Sequence, residues 1–416
     1  MSALDSFREE VRSWLDQNCP DNMRTPKDGG MRKPATPQEV TAWCGKLQEQ
    51  GYTCPTWPKE YGGGSFDKEQ AAIIQAEMAR IGTMNPAVSF GTMMLGPVLL
   101  EFASHEQKVE HLVPITRGEI RWCQGYSEPG SGSDLASLQT RAVRDGDHYV
   151  INGQKIWTTM AHLSDWMFCL VRTDAEAAKH QGISFILFDL KSPGVTVKPI
   201  KLISGQSQFC EVFFEDVRAL AKNLVGKENE GWTIAKRLLQ YERNMLSGLG
   251  GGGLGGGRGR GRRGGADADA RAKRGNAGPA MIAEGARRYL GTVGGGSTGR
   301  LADAGLRDEL SQAELDQMAF SLTMRRANEE AKTSGPSAAS SMFKLYMSEM
   351  GKRRSELMIR VMGYQALGWE GDTFSQQELN TTRSWLRSKG SSIEGGTSEI
   401  QKNVIAKRVL ELPTTG

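Results

Sequence analysis

The chain has no Cys-x-x-Cys pair, no apolar run near the length of a membrane span and no strong excess of either charge sign. Its six cysteines, at positions 19, 44, 54, 123, 169 and 210, lack the regular framework of a small disulfide-stapled protein, so reduced thiols in a cytoplasmic setting are expected. Five scattered histidines offer no metal-ligand spacing, and no metal is expected. The apolar runs fall well short of the roughly 18 residues of a spanning helix. The opening MSALDSFREEVRSWL has the period of an amphipathic helix, not the uninterrupted apolar core of a signal peptide, so no membrane association is expected. A net charge of +4 is too small to imply a nucleic-acid partner. One segment departs from this balance. Residues 248–265, GLGGGGLGGGRGRGRRGG, consist almost wholly of glycine and arginine and cannot bury apolar area against their ordering entropy. Their repeated Gly-x-Gly-x-x-Gly matches follow no strand, so they are no dinucleotide fingerprint. The segment reads as a solvated insertion, and the different reading it leaves open is RNA binding through the arginines of 258–263.

What remains is an ordinary globular composition: 416 residues, 38% apolar and 24% charged, enough to bury a sizeable core in two or three domains. Up to about residue 123 apolar positions recur at helical spacing, as in EVTAWCGKLQEQ and KEQAAIIQAEMARIG. Between 124 and 231 the period shortens and turn signals multiply. Asp145-Gly146 and Asn152-Gly153 suggest tight hairpins, and WMFCLVRTD, ISFILFDL, VTVKPI and QFCEVFFEDV read as strands. From 232 to 416 helical spacing returns. The expected architecture is mainly α with an inserted β-domain, divided as 1–123, 124–231 and 232–416.

At the junction expected between the first helical region and the first strand stands YSEPGSGSD, residues 126–134. Consecutive small residues let backbone N–H groups approach a ligand, and Ser127, Ser131 and Ser133 add hydroxyls, which suits an anionic or polar heteroaromatic ligand. Taken alone, the stretch reads equally as a Pro/Gly turn closed by a capping Asp134.

GYTCPTWPKEYGG (51–63), YSEPGSGSDL (126–135), NGQKIWTT (152–159) and EGGTSEIQKNVIAKRVLELP (394–413) occur in the order of four motifs of the acyl-CoA dehydrogenase flavoenzymes, and the chain resembles that family over most of its length. The resemblance implies an N-terminal helical domain, a central β-barrel-like domain and a C-terminal four-helix bundle, with FAD as cofactor. It implies that Gln124, Ser127, Gly132 and Ser133 contact the flavin, with Ser133 also meeting the CoA portion of the substrate. Trp157 would cover a flavin face, and Thr158 and Thr159 would bond near its reactive nitrogen. Thr397, Ser398 and Glu399 would line the flavin at the start of the closing helix, whose N-terminal N–H groups suit anionic oxygens. Arg243, Gly396 and Lys407 would meet the substrate. In pattern the chain is most similar to large subunits of heteromeric bacterial members of the pimeloyl-CoA dehydrogenase type. No Arg-x-x-Phe-Gly segment stands between 270 and 330, where family members often reach a neighbouring subunit's FAD. A homotetramer, or a heterotetramer with a related small subunit, is the implied assembly.

Desaturating an acyl thioester requires a base for the α-proton, donors at the thioester carbonyl and a hydride acceptor. Many members carry the base two residues before the threonine of the closing motif. Here that position is Gly395, and Glu394 stands one place earlier. A second family solution puts a glutamate on the first helix after the β-domain, and Glu242 in LLQYERNML matches it. Glu242 is therefore the expected base, its pKa raised toward neutrality by burial, and the Gly395 N–H the expected donor to the thioester carbonyl. The implied reaction is FAD-dependent α,β-dehydrogenation of an acyl-CoA, with electrons passing to an electron-transfer flavoprotein. The alternatives are an acyl-CoA oxidase and a non-catalytic subunit. The acyl chain is left open among straight, branched, dicarboxylic and steroid side-chain thioesters.

Overall fold

A computed structural model describes residues 2–26, 33–248, 279–293, 300–335 and 337–413, without the side chains of 243–248, 332 and 334. The Gly/Arg segment from 249 onward lies outside the described residues, and so does the RNA-binding reading that rests on it. Among the described residues the first compact unit takes 2–200 and 208–242, and the second takes 201–207 and 243–413.

The first unit opens with helices α1 (Ala3–Asn18), α2 (Pro37–Glu49) and α3 (Lys68–Arg80). Each begins at a side chain that caps a free backbone N–H: Ser2 with Asp5, Thr36 with Glu39, and Asp67 with Gln70 form reciprocal capping boxes. Their apolar stripes close on one cluster of Val11, Leu15, Trp43, Leu47, Ile74 and Met78. The buried Glu77 accepts from Arg8, Arg12 and Arg80. Helices α4 (Gly96–Phe102) and α5 (His105–Thr116) follow.

The sheet contains β1 (Trp122–Gly125), β2 (Arg141–Asp145), β3 (His148–Thr159), β4 (Trp166–Arg172), β5 (Ile183–Asp189), β6 (Val195–Ile200), β7 (Phe209–Leu220) and β8 (Leu224–Val225). Strand order is β6-β7-β3-β2-β4-β5-β8, with β1 parallel to β4. Alternate residues, among them Cys123, Tyr149, Ile151, Met167, Cys169, Phe188, Val212 and Phe214, pack into one core. All six cysteines are buried and none forms a disulfide among the described residues, and burial pushes the Cys44 thiol up to about 11 and the Cys54 thiol to about 12.

Two expectations need correction. YSEPGSGSD does not precede the first strand, because β1 is already formed at Trp122. Asn152-Gly153 makes no hairpin either; it lies inside the continuous strand β3, where Asn152 faces a bulge of two residues, Glu215 and Asp216, in β7. The Asn152 amide pairs reciprocally with Asp216 at 2.9 and 3.0 Å, which satisfies it across the strands. Gly153 sits at φ +147°, and a Cβ there would lie 2.8 Å from the backbone of Thr140. The β2–β3 hairpin turns instead on Gly146 and Asp147, with Gly146 at φ +60°.

Helix α6 (Gly231–Gly248) carries Glu242 at the end of the first unit and Arg243 at the start of the second. In the second unit come α7 (Pro279–Leu290), α8 (Ala304–Ser334), α9 (Phe343–Met362), α10 (Gln376–Ser388) and α11 (Ser398–Arg408). Ile282, Ala286, Leu310, Leu357, Met358 and Val361 form one of its cores, and Phe320, Phe343 and Met350 belong to another.

Candidate active site

In the first unit the loop after β1 is fastened from inside. Glu128, 8% exposed, accepts from Gln139 N at 2.6 Å, Thr140 N at 2.9 Å and Lys155 Nζ at 2.8 Å. The same ammonium donates to the Tyr126 carbonyl at 3.0 Å, and Lys155 is fully buried. Burial pushes the Glu128 carboxyl up, but the Lys155 charge and the surrounding donors outweigh it and hold the group below the ordinary carboxylate range. Glu128 and Ser131 exchange backbone hydrogen bonds at 2.9 and 3.0 Å, so Pro129 and Gly130 form the tip of a tight turn. Ile156 N donates to the Ser127 carbonyl at 2.9 Å, tying the loop to β3.

Ser131 departs from its expected place on a ligand-facing rim. Its hydroxyl donates inward to the carbonyls of Asp134 and Leu135, so it holds the loop's own shape. Gly132 and Ser133 are exposed. At Gly130 and Gly132 a Cβ would meet nothing within 4 Å, and neither has a positive φ, so the protein's own packing does not demand glycine there. Open space on this side leaves room for a ligand to approach the backbone.

Strand β3 brings Trp157, Thr158 and Thr159 up beside this loop. A register shift between Lys155 and Thr158 lifts Trp157 out of the ladder at φ +60°, with its ring 54% exposed and edge-on to Phe209. A bulky residue in the left-handed region costs on the order of 1–3 kcal/mol, and such outliers cluster at functional sites. Thr158 is 1% exposed and its Oγ1 has no hydrogen-bond partner among the described residues. Gln124 Nε2, from β1, donates to Glu242 Oε2 of α6 at 3.4 Å.

In the second unit Gly395 and Gly396 take φ of +62° and +94°, which glycine alone adopts without strain. Gln401 Nε2 donates to the Gly395 carbonyl at 3.2 Å, and Lys344 Nζ to that of Gly396 at 2.5 Å. Thr397 caps α11 by accepting from Ile400 N at 3.2 Å. Ser398 is turned to Glu349 at 2.9 Å, and Glu399 and Lys407 are exposed. Glu394 accepts from Arg387 at 2.6 Å. Arg243 continues α6, and its side chain lies outside the described residues.

Three family models match in order: the acyl-CoA dehydrogenase N-terminal domain over residues 2–119, the middle domain over 123–217 and the C-terminal domain over 282–410. The acyl-CoA dehydrogenase IpdE1 of Mycobacterium tuberculosis is 34% identical over 419 residues, covering 99% of both chains. The chain belongs to the acyl-CoA dehydrogenase family. The long-chain specific mitochondrial enzyme of Sus scrofa is 27% identical over 98% of this chain and 87% of its own. Among solved structures, the "Tcur3481-Tcur3483 steroid ACAD" superposes with a TM-score of 0.70 at 25% identity, over 99% of this chain and 98% of that one. Membership makes the chain an oxidoreductase of acyl-CoA thioesters with FAD as its cofactor. The chain's fold is the family's: helical N-terminal region, middle sheet, helical C-terminal region.

The first unit's residues fit that cofactor. An unsatisfied buried hydroxyl on Thr158, an exposed indole strained out of its strand and two glycines facing open space all suit a planar ring with polar edges. Thr158→Val tests this without chemistry. Removing a buried hydroxyl that lacks a partner should leave the apo-protein as stable or raise its melting temperature, while FAD affinity falls about 5- to 10-fold for one lost hydrogen bond. Equal FAD affinity for both proteins, by fluorescence titration, would mean that the hydroxyl does not meet the flavin.

The residues that sequence reasoning missed are Glu128, Lys155 and Tyr126. Lys155 had a readable signal: it shares strand parity with Tyr149 and Ile151, and a lysine on the core-facing parity needs a buried partner. Tyr126 offered none, since an aromatic residue at a strand end is ordinarily core.

Proposed function

We propose that the chain catalyses FAD-dependent α,β-dehydrogenation of an acyl-CoA to the trans-2-enoyl-CoA, with Glu242 as the base. The observation that carries this is the Gln124 amide reaching the Glu242 carboxylate of α6, from a strand whose following loop is tied at Ser127 to Ile156, next to Trp157 and Thr158. Glu394, the other carboxylate considered, is engaged by Arg387 and nearly half exposed. In this reading Glu242 takes the α-proton onto its carboxylate while the Cβ–H bond breaks and the Cα–Cβ double bond forms. The Gly395 N–H is assigned to the thioester carbonyl, where a donor acidifies the α-proton. FAD, when bound, supplies the hydride acceptor. Gln124, Ser127, Gly132, Ser133, Trp157, Thr158, Thr159, Thr397, Ser398 and Glu399 are assigned to it, and Ser133, Arg243, Gly396 and Lys407 to the substrate. An electron-transfer flavoprotein is the proposed acceptor.

The likeness to a steroid acyl-CoA dehydrogenase supports bulky ring-bearing acyl thioesters as the first substrates to try, and a related partner subunit as part of the assembly. The test is anaerobic titration of the FAD-loaded protein with straight, branched, dicarboxylic and steroid side-chain acyl-CoAs. Loss of the flavin absorbance near 450 nm with at least one of them is expected (a general flavin property). A flavin that stays oxidised throughout overturns the reading. Peroxide formation in air without another acceptor would place the chain with the oxidases.

A further inference from the structure

Gln124 and Phe168 are register partners on the parallel strands β1 and β4, so their side chains leave the same face of the sheet. Tyr126, two residues beyond Gln124, leaves that face too, and its ring meets Phe168 edge-on at 6.3 Å. This is the face on which the Gln124 amide reaches the Glu242 carboxylate. Tyr126 is 5% exposed, its carbonyl is pinned by Lys155, and its hydroxyl is buried without a hydrogen-bond partner among the described residues. A buried phenol without an acceptor is destabilising, so its presence calls for a reason, and an acceptor engaged on ligand binding supplies one. Burial first, and then the charge of Glu242, push the Tyr126 pKa well above the ordinary phenol value, so it is a neutral donor.

We propose that Tyr126 is a positioning residue for Glu242: when an acyl thioester fills the site and expels water, the phenol O–H turns to the carboxylate beside the Gln124 amide. The role rests on Glu242 being the base. Two neutral donors then replace the lost water, holding the carboxylate ionised and aimed. Two other titratable groups close to Tyr126 are committed elsewhere. Cys169, from β4, is fully buried and pushed up to about 12, so it stays a neutral thiol. Lys155, from β3, is spent on Glu128 and on the Tyr126 carbonyl.

The experiment is the rate of anaerobic flavin reduction from pH 5 to 9 for wild type, Tyr126→Phe, Phe168→Leu and Glu242→Gln, each loaded with FAD and with FAD affinity measured in parallel. Losing a donor to the carboxylate raises the pKa of the base, so Tyr126→Phe should move the acid limb up by about one unit. Below that limb its rate falls about tenfold, while the high-pH plateau and FAD affinity change little. Phe168→Leu loosens the same packing without removing a hydroxyl, and its limb should stay with wild type. If the Tyr126→Phe limb coincides with wild type while Glu242→Gln is inactive, the positioning role is overturned and the base assignment stands. If Glu242→Gln reduces flavin at the wild-type rate, the base assignment falls and takes the role of Tyr126 with it.

Discussion

Glu242→Gln should lower the rate of flavin reduction by about 10²- to 10⁴-fold, the share of a well-placed general base. The substitution keeps the shape of the side chain and its contact with the Gln124 amide, so folding and FAD affinity are expected to be unchanged. Rapid mixing with a substrate acyl-CoA under anaerobic conditions reads the loss directly in the flavin absorbance. Glu394→Gln is the companion. Its carboxylate accepts from Arg387 and is 45% exposed, so its loss should change the rate less than about threefold, as expected for a surface ion pair. A large loss in Glu394→Gln with little in Glu242→Gln would move the base to the second unit.

Lys155→Met should cost about 3–5 kcal/mol of stability, the penalty for stripping one partner from a buried ion pair. The ammonium is fully buried at 2.8 Å from Glu128 and also carries the Tyr126 carbonyl, so its removal leaves a buried carboxylate without its counter-charge. Methionine fills the same length without the charge. Urea unfolding gives the loss, and the double variant Lys155→Met/Glu128→Gln should recover part of it by removing the stranded charge. An unchanged midpoint in Lys155→Met would show that the pair contributes nothing. The pH dependence has a definite sign. Because the folded-state pKa of Glu128 lies below its unfolded value, the contribution is complete above the unfolded value of about 4.3 and is lost as pH falls through the lower, folded value. Wild type should therefore lose more stability than Glu128→Gln as pH drops below about 4, with the loop around Ser127 and Ser133 releasing FAD in the same window.

The residues that make up each helical or strand period, each cap and each of the four motifs lie close together in sequence, and that local information was readable from the chain alone. The stripes of α1, α2 and α3, the alternation in β4 and β5 and the glycines of 394–396 were all legible because neighbours in sequence determine them. So was the family. What failed was whatever depends on a partner distant in sequence. Asn152-Gly153 carries a hairpin signal, yet it runs straight through β3, with Asn152 bonded to Asp216 in a bulge of β7 and Gly153 set close against the backbone of Thr140, and no local rule contains those partners. Ser131 looked like a ligand hydroxyl and is spent on Asp134 and Leu135. Trp157 was singled out by its motif, but the left-handed backbone that lifts it from the strand comes from pairing with β7. The sequence by itself determined the elements, the family and the cofactor, because these reside in short-range pattern. Tertiary structure alone decided which charge Lys155 neutralises and which carboxylate Gln124 meets. Those outcomes depend on burial and on contacts between segments 27 and 118 residues apart, which periodicity cannot encode.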